Sequence, residues 1–362
     1  MKRSIFFLIL IVANICGFAQ STHNDSSKVP QTKKVVVTRK ITTTTAKKDE
    51  AAKATSSKNN ATKTETAKAK TDKNDSEKLE CGYLCNPPLP YMPAKLDILF
   101  IGNSFSVDTS SALPEIFKSL GIHNVNVYVL YKGACSMKQH FDYYKSGEKA
   151  YELFRYNSSG EQLLEKATSI NDVMCQFAYD IVVFQQYSLE SGDYSTYEPY
   201  LSKLIQLYNI NKISPRTTFA FNETWAYSAN NKLLQKYKTQ VNMWTSICNS
   251  VKKMKANTGI DIIIPCGTAV QNARNIEALD VDDDLTRDSQ HMNLYAGRYL
   301  VACTFFESII APCLGVNLRN DTTLYGKPTD VGAVTDSNRH LLQNCARLAV
   351  ANNYEISEFA NQ

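Results

Sequence analysis

The pattern of hydrophobic and polar positions changes character near residue 90. Beyond it, short continuous apolar runs alternate with stretches of helical period. L-D-I-L-F-I-G (96–102), V-N-V-Y-V-L (125–130), D-I-V-V-F (180–184), T-F-A-F (218–221) and D-I-I-I-P (261–265) are strand candidates. Helical patterns cover 111–122 and 200–208, and a long one runs through L-L-Q-K-Y-K to V-K-K-M-K-A-N. The strand candidates are apolar throughout rather than alternating, as strands buried on both faces are. Their alternation with helices predicts a five-stranded parallel sheet covered on both sides. The segment 151–167 reads as a hairpin-like insertion turning at Ser158-Ser159-Gly160. No internal repeat is present.

Upstream of residue 90 the pattern is lost. Residues 1–19 have a basic start, an apolar stretch and small residues at Gly17 and Ala19, which predicts a secretory signal peptide cut after Ala19. A lipid anchor on Cys16 is disfavoured by the bulky Ile15 before it. No other segment reads as a membrane span, so no integral membrane segment is expected once the signal is removed. Residues 20–90 are mostly Lys, Thr, Ala, Ser, Asn and Asp, too polar to offset the entropy of ordering, and predict a disordered tether. The globular domain is then 91–362. The formal charge of +5 resides largely in tether lysines, which argues against a nucleic-acid partner.

Ten cysteines are present, one of them in the signal. Cys81 and Cys85 form the most suggestive local pair, whereas Cys266 and Cys303 sit in apolar runs and read as small core residues. No Cys/His cluster has metal spacing, so neither a metal nor another cofactor is expected. Asp282, Asp283 and Asp284 read as a solvated loop rather than a calcium site.

In open parallel sheets ligands bind beyond the carboxyl ends of the strands. Those ends are all polar or glycine-bearing here. The first gives G-N-S-F-S with Ser104, the second Y-K-G-A-C-S with Gly133, and the third F-Q-Q-Y-S with Gln185, Gln186 and Ser188. The fourth gives F-N-E-T-W-A-Y with Glu223 and Trp225, and late in the chain comes R-D-S-Q-H with Arg287, Asp288 and His291. A nucleophilic serine needs a base and a group that orients the base. His291 and Asp288, three residues apart, supply both, and Ser104 is the nucleophile they would serve. The N–H groups of Ser104 and Gly133, with a side-chain amide from Gln185 or Gln186, are candidate oxyanion donors. Trp225 offers a sugar-stacking platform or core packing, Glu223 is a candidate substrate contact, Arg287 pairs with neighbours of Asp288 or with substrate, and His140 lines the site or serves as a helix-capping or surface residue.

G-N-S-F-S, the glycine after the second strand, an amide after the third and D-x-x-H near the end resemble the SGNH (GDSL-type) hydrolases. The resemblance spans about 95–352 and implies a three-layer α/β/α sandwich of flavodoxin-like topology. It implies Ser104 as nucleophile with His291 and Asp288. The family's third block usually reads G-x-N-D, and this chain has Q-Q-Y-S instead. P-C-G-T-A (265–269) and R-D-S-Q-H also resemble a secreted branch carrying that glutamine. The implied function is an exported serine esterase, periplasmic, on the cell surface or extracellular, that removes O-acetyl groups from carbohydrate. A lipid or aryl esterase and a catalytically inactive carbohydrate-binding protein are the alternatives.

Overall fold

The computed structural model describes residues 88–91, 93–279 and 285–357. The expected signal peptide, most of the tether, the Cys81/Cys85 pair and the aspartates at 282–284 lie outside the described residues. In chain order, β1 (Leu96–Gly102) leads into α1 (Ser104–Ser110) and α2 (Leu113–Ser119), and β2 (Val125–Tyr131) into α3 (Met137–Ser146). The hairpin β3 (Tyr151–Asn157) and β4 (Gly160–Thr168) precedes α4 (Ile170–Gln176) and β5 (Ile181–Phe184). Then come α5 (Tyr200–Asn211), β6 (Thr218–Asn222), α6 (Gln240–Thr258), β7 (Ile262–Ile264) and α7 (Cys266–Arg274). Two helices close the domain, α8 (Ala296–Phe305) and α9 (Asp336–Ala351).

The sheet has seven strands in the order β4-β3-β2-β1-β5-β6-β7 and is mixed. This corrects the five-stranded expectation. The five anticipated strands do run parallel to one another, with β1 between β2 and β5. The hairpin is not a free insertion, because β3 pairs antiparallel with β2 and extends the sheet by two strands. Its inward positions explain this: Tyr151, Leu153 and Tyr156 are buried, whereas β4 is largely exposed and forms a polar edge. Central strands are covered on both faces, and every residue of β5, I-V-V-F, is buried.

Among the helices, α1, α2, α7, α8 and α9 form one contacting group and α3, α4 and α5 another, while α6 touches α7. Right-handed crossovers place such groups on opposite faces. From β1 the next parallel strand in sequence, β2, is added on one side, and β5 on the other. In such sheets that reversal of direction is where a ligand crevice forms, and here it falls at the carboxyl end of β1, where Ser104 begins α1.

After a π-helical turn over Phe306–Ile310, α8 continues through Ala311–Leu314. The stretch Ala296–Leu314 is long and apolar enough to span a bilayer, which corrects the expectation that no segment beyond the signal is. It is instead a core helix, most of it buried and packed against α7 and α9. Of the seven free cysteines among the described residues, six are buried and Cys175 is exposed.

Candidate active site

β1 ends at Gly102 because no side chain fits there: a Cβ would lie 2.1 Å from Ser106 Oγ and 3.2 Å from the Gln185 carboxamide. The chain then turns through Asn103, whose side-chain oxygen caps α1 by accepting from the Phe105 N–H at 3.1 Å. Ser104 is the first helical residue and remains partly exposed, while Ser106 is fully buried. Only Ser104 therefore presents its hydroxyl to the crevice.

Ser104 Oγ lies 2.7 Å from His291 Nε2, and His291 Nδ1 lies 2.7 Å from Asp288 Oδ2. With the Nδ1 proton donated to the carboxylate, Nε2 is left to accept from the serine hydroxyl. The other carboxylate oxygen, Oδ1, accepts from the backbone N–H of His291 at 2.7 Å and of Gln290 at 3.1 Å. Burial pushes the Asp288 carboxyl up, but these hydrogen bonds outweigh it and hold the group below its ordinary range. Asp288 thus stays ionised wherever His291 is to work as a base.

The four residues 288–291 form the tip of a small hairpin. Thr286 pairs with Met292, and the Arg287 N–H donates to His291 O at 3.0 Å. Ser289 sits in the left-handed region at φ 66°, a conformation costly for a residue with a Cβ. It is held there by the Ser228 N–H and the Asn231 amide, both of which donate to its carbonyl. Trp225 supports the same turn. It is fully buried, stacks on Phe105 at 4.1 Å and 3°, and donates from Nε1 to Gln290 O at 2.7 Å. Phe105 in turn meets the His291 ring edge-on at 5.6 Å. Of the two sequence alternatives for Trp225, core packing is the one realised, and no sugar platform exists at this residue.

Gly133 lies exposed in the loop after β2, beside Ala134 at φ 52°. Among the described residues neither its N–H nor that of Ser104 has a hydrogen-bond partner. The glutamines are differently placed than expected. Gln186 is fully buried; its amide donates to Thr196 O and Oγ1 at 3.0 Å, and its oxygen accepts from the Met137 and Tyr187 N–H groups at 2.9 Å. It is a scaffold residue without a spare donor. Gln185, also buried, donates to Asn103 Oδ1 at 2.7 Å and accepts from Asn222 Nδ2 at 3.1 Å. Asn103 Nδ2 passes the chain on to Cys135 O at 3.2 Å. A line of amides therefore runs across the carboxyl ends of β6, β5 and β1 to the loop after β2.

The remaining candidates lie outside the crevice. His140 is fully buried, with Nδ1 2.9 Å from Tyr151 Oη, and burial pushes it down to about 3. It stays neutral and lines no opening. Glu223 is also fully buried: it accepts from the Thr268 N–H at 2.9 Å and hydroxyl at 2.8 Å, capping the first turn of α7. Gly267 in P-C-G-T-A permits this closeness, since a Cβ would meet Thr224 O at 2.4 Å. Ser188 bonds to Tyr227 Oη at 2.8 Å within the core. Arg287 turns from substrate to Asp108, its Nη1 lying 3.1 Å from Oδ1. The sequence places Asn103 and Asn222 at polar strand ends without giving them a role, and Asp108 and Arg298 were missed. The signal available for Asp108 was its place four residues after Ser104, on the same helical face.

Burial raises the Glu223 carboxyl to about 7, with the Thr268 hydrogen bonds opposing. The folded protein thus holds a proton that the unfolded chain releases near pH 4.3, and the stability it supplies is full below that and lost as pH rises through about 7. The difference is on the order of 3 kcal/mol. Calorimetry of Glu223→Gln should show a smaller fall in melting temperature between pH 5 and 8 than wild type; an unchanged fall would contradict this assignment.

Residues 97–336 match the family model described as Domain of unknown function (DUF4886). The chain belongs to the DUF4886 family. A crystal structure of a DUF4886 family protein from Bacteroides uniformis ATCC 8492 is 28% identical with a TM-score of 0.64, and the match covers 73% of this chain and 98% of that one. A candidate SGNH hydrolase from Slackia heliotrinireducens matches at 19% identity and TM-score 0.41, over 59% of this chain and 98% of that one. The acetylxylan esterase Axe2 from Geobacillus stearothermophilus matches at 13% identity and TM-score 0.39, over 63% and 97% of the two chains. No curated protein sequence matches this DUF4886 chain.

Proposed function

We propose that this DUF4886 protein is an exported serine hydrolase that cleaves carboxylic esters, with O-acetylated carbohydrate as its substrate class. The observation that carries the reading is the unbroken hydrogen-bonded line from Ser104 through His291 to Asp288 at the carboxyl edge of β1. His291 Nε2 takes the Ser104 proton as Oγ attacks the ester carbonyl, and Asp288 holds the imidazolium that forms. The negative oxygen of the tetrahedral intermediate is met by the unpartnered N–H groups of Ser104 and Gly133. His291 then protonates the departing alcohol, and a water activated by the same nitrogen releases the acid. No metal or cofactor enters these steps.

The choice of alcohol rests on access. The Asp288 side chain is 49% exposed and that of His291 25%, so the proton-transfer side of the site opens to solvent. A polymeric alcohol can leave on that side without entering a cavity. Carbohydrate deacetylation also fits the SGNH resemblance of the G-N-S-F-S and D-S-Q-H segments.

A panel of p-nitrophenyl acetate, butyrate and octanoate beside an acetylated xylo-oligosaccharide tests the reading. We expect acetate release from the oligosaccharide and a kcat/KM at least about 10-fold lower for octanoate than for acetate. Rates that rise with acyl length would make the protein a lipid esterase. Failure on every ester would leave a binding protein on a hydrolase fold.

A further inference from the structure

Asp108 is a fully buried carboxylate on α1 that accepts four hydrogen bonds from three donor groups. Oδ1 accepts from Arg298 Nε at 2.8 Å and Arg287 Nη1 at 3.1 Å; Oδ2 accepts from the Met292 N–H at 3.0 Å and the same Nη1 at 3.2 Å. Arg287 Nη1 also donates to Met292 O. Arg287 immediately precedes Asp288, and Met292 immediately follows His291. A single carboxylate therefore holds both stems of the turn that carries the base and its orienting acid. It does so from the helix whose first residue is Ser104, about 6 Å away along the axis.

A salt bridge that merely closed the fold could lie anywhere on the α1–α8 contact. This one ends on the backbone of the catalytic turn and on the residue adjoining it. Trp225, Ser228 and Asn231 hold the tip of the turn, and the Asp108 contacts are those that tie its two stems to α1. We infer that Asp108 is a positioning residue, which sets the His291 imidazole at hydrogen-bonding distance from Ser104 by clamping both stems of the 288–291 turn to α1. The inference rests on the reading of Ser104 as nucleophile. It also assigns Arg287 to the clamp and not to substrate.

Reaction geometry is sensitive to such a clamp, since a displacement of about 1 Å can cost roughly 100-fold in rate. The test uses the full chain carrying Asp108→Asn or Arg287→Met. The first leaves two guanidiniums facing a neutral amide and is the variant at risk of not folding. The second keeps Asp108 paired with Arg298 and the Met292 N–H, and so decides the question alone if the first does not fold. For Arg287→Met we expect kcat on p-nitrophenyl acetate to fall roughly 10- to 100-fold with KM within about twofold of wild type. The downfield proton resonance of His291 Nδ1–H, shared with Asp288, should broaden or vanish while the melting transition stays cooperative. A kcat within about twofold of wild type together with an unchanged resonance would overturn the clamp. Should Ser104→Ala retain full hydrolysis, the esterase reading fails separately, and the resonance still decides whether Asp108 holds the turn.

Discussion

Ser104→Ala is expected to lower kcat for p-nitrophenyl acetate by about 10⁴-fold or more while leaving the fold intact. The size follows from what is removed. Without Oγ no acyl-enzyme forms, and His291 and Asp288 have no proton to move; only the oxyanion donors and substrate binding remain. His291→Ala should cost about as much, and the double variant little more than either single one, because the two act as a unit. Stability should change by less than about 0.5 kcal/mol, since the Ser104 side chain is partly exposed and makes its one hydrogen bond to His291. Initial rates and melting curves on the same preparations check both halves. A fall in rate that tracks a fall in melting temperature would mean that the fold, and not the chemistry, had been changed.

Gln185→Leu carries the second large effect, and it falls on rate and stability together. The substitution keeps the side chain's approximate bulk but strips the buried Asn222 Nδ2 of its acceptor and leaves Asn103 Oδ1 with one of its two donors, the Phe105 N–H. The orphaned Asn222 amide costs about 1–3 kcal/mol, and a loss of that size in denaturant unfolding is expected. Asn103 also caps α1 and holds the Cys135 carbonyl, so the same change loosens the Ser104 end of the helix and the loop of Gly133. We expect kcat to drop by about 10-fold or more through that movement. A glutamine acting directly on the oxyanion behaves otherwise: its loss costs about 100- to 1,000-fold in kcat with stability nearly unchanged. Unfolding and kinetics measured side by side therefore separate a relay from a donor.

The parallel sheet was legible because its strands are buried on both faces, which leaves continuous apolar runs such as I-V-V-F and I-L-F-I-G. The hairpin was legible as a hairpin but not as part of the sheet. Its pairing with β2 depends on where Tyr151, Leu153 and Tyr156 find cover, which is a tertiary matter. At the candidate site, residue type and order along the chain pointed to Ser104, Asp288 and His291, and the fold brings those three side chains together. The supporting residues were harder to see. Trp225, Glu223 and His140 have the same chemical character whether they face a ligand or a core, and only burial shows that all three face inward. Asp108 was passed over for the opposite reason: its place one helical turn after Ser104 was a faint signal, and its role depends on Arg287, Met292 and Arg298, brought to it from about 180 residues away.

The central claim is that Ser104 carries the acyl group. Its most direct test is intact and peptide mass spectrometry after treatment with diethyl p-nitrophenyl phosphate, which leaves a stable diethylphosphoryl group on an activated serine. We predict one adduct per chain, located on the peptide containing Ser104, absent from Ser104→Ala, and formed in parallel with loss of esterase activity. An adduct at another residue, or full activity loss with Ser104 unmodified, would contradict the account.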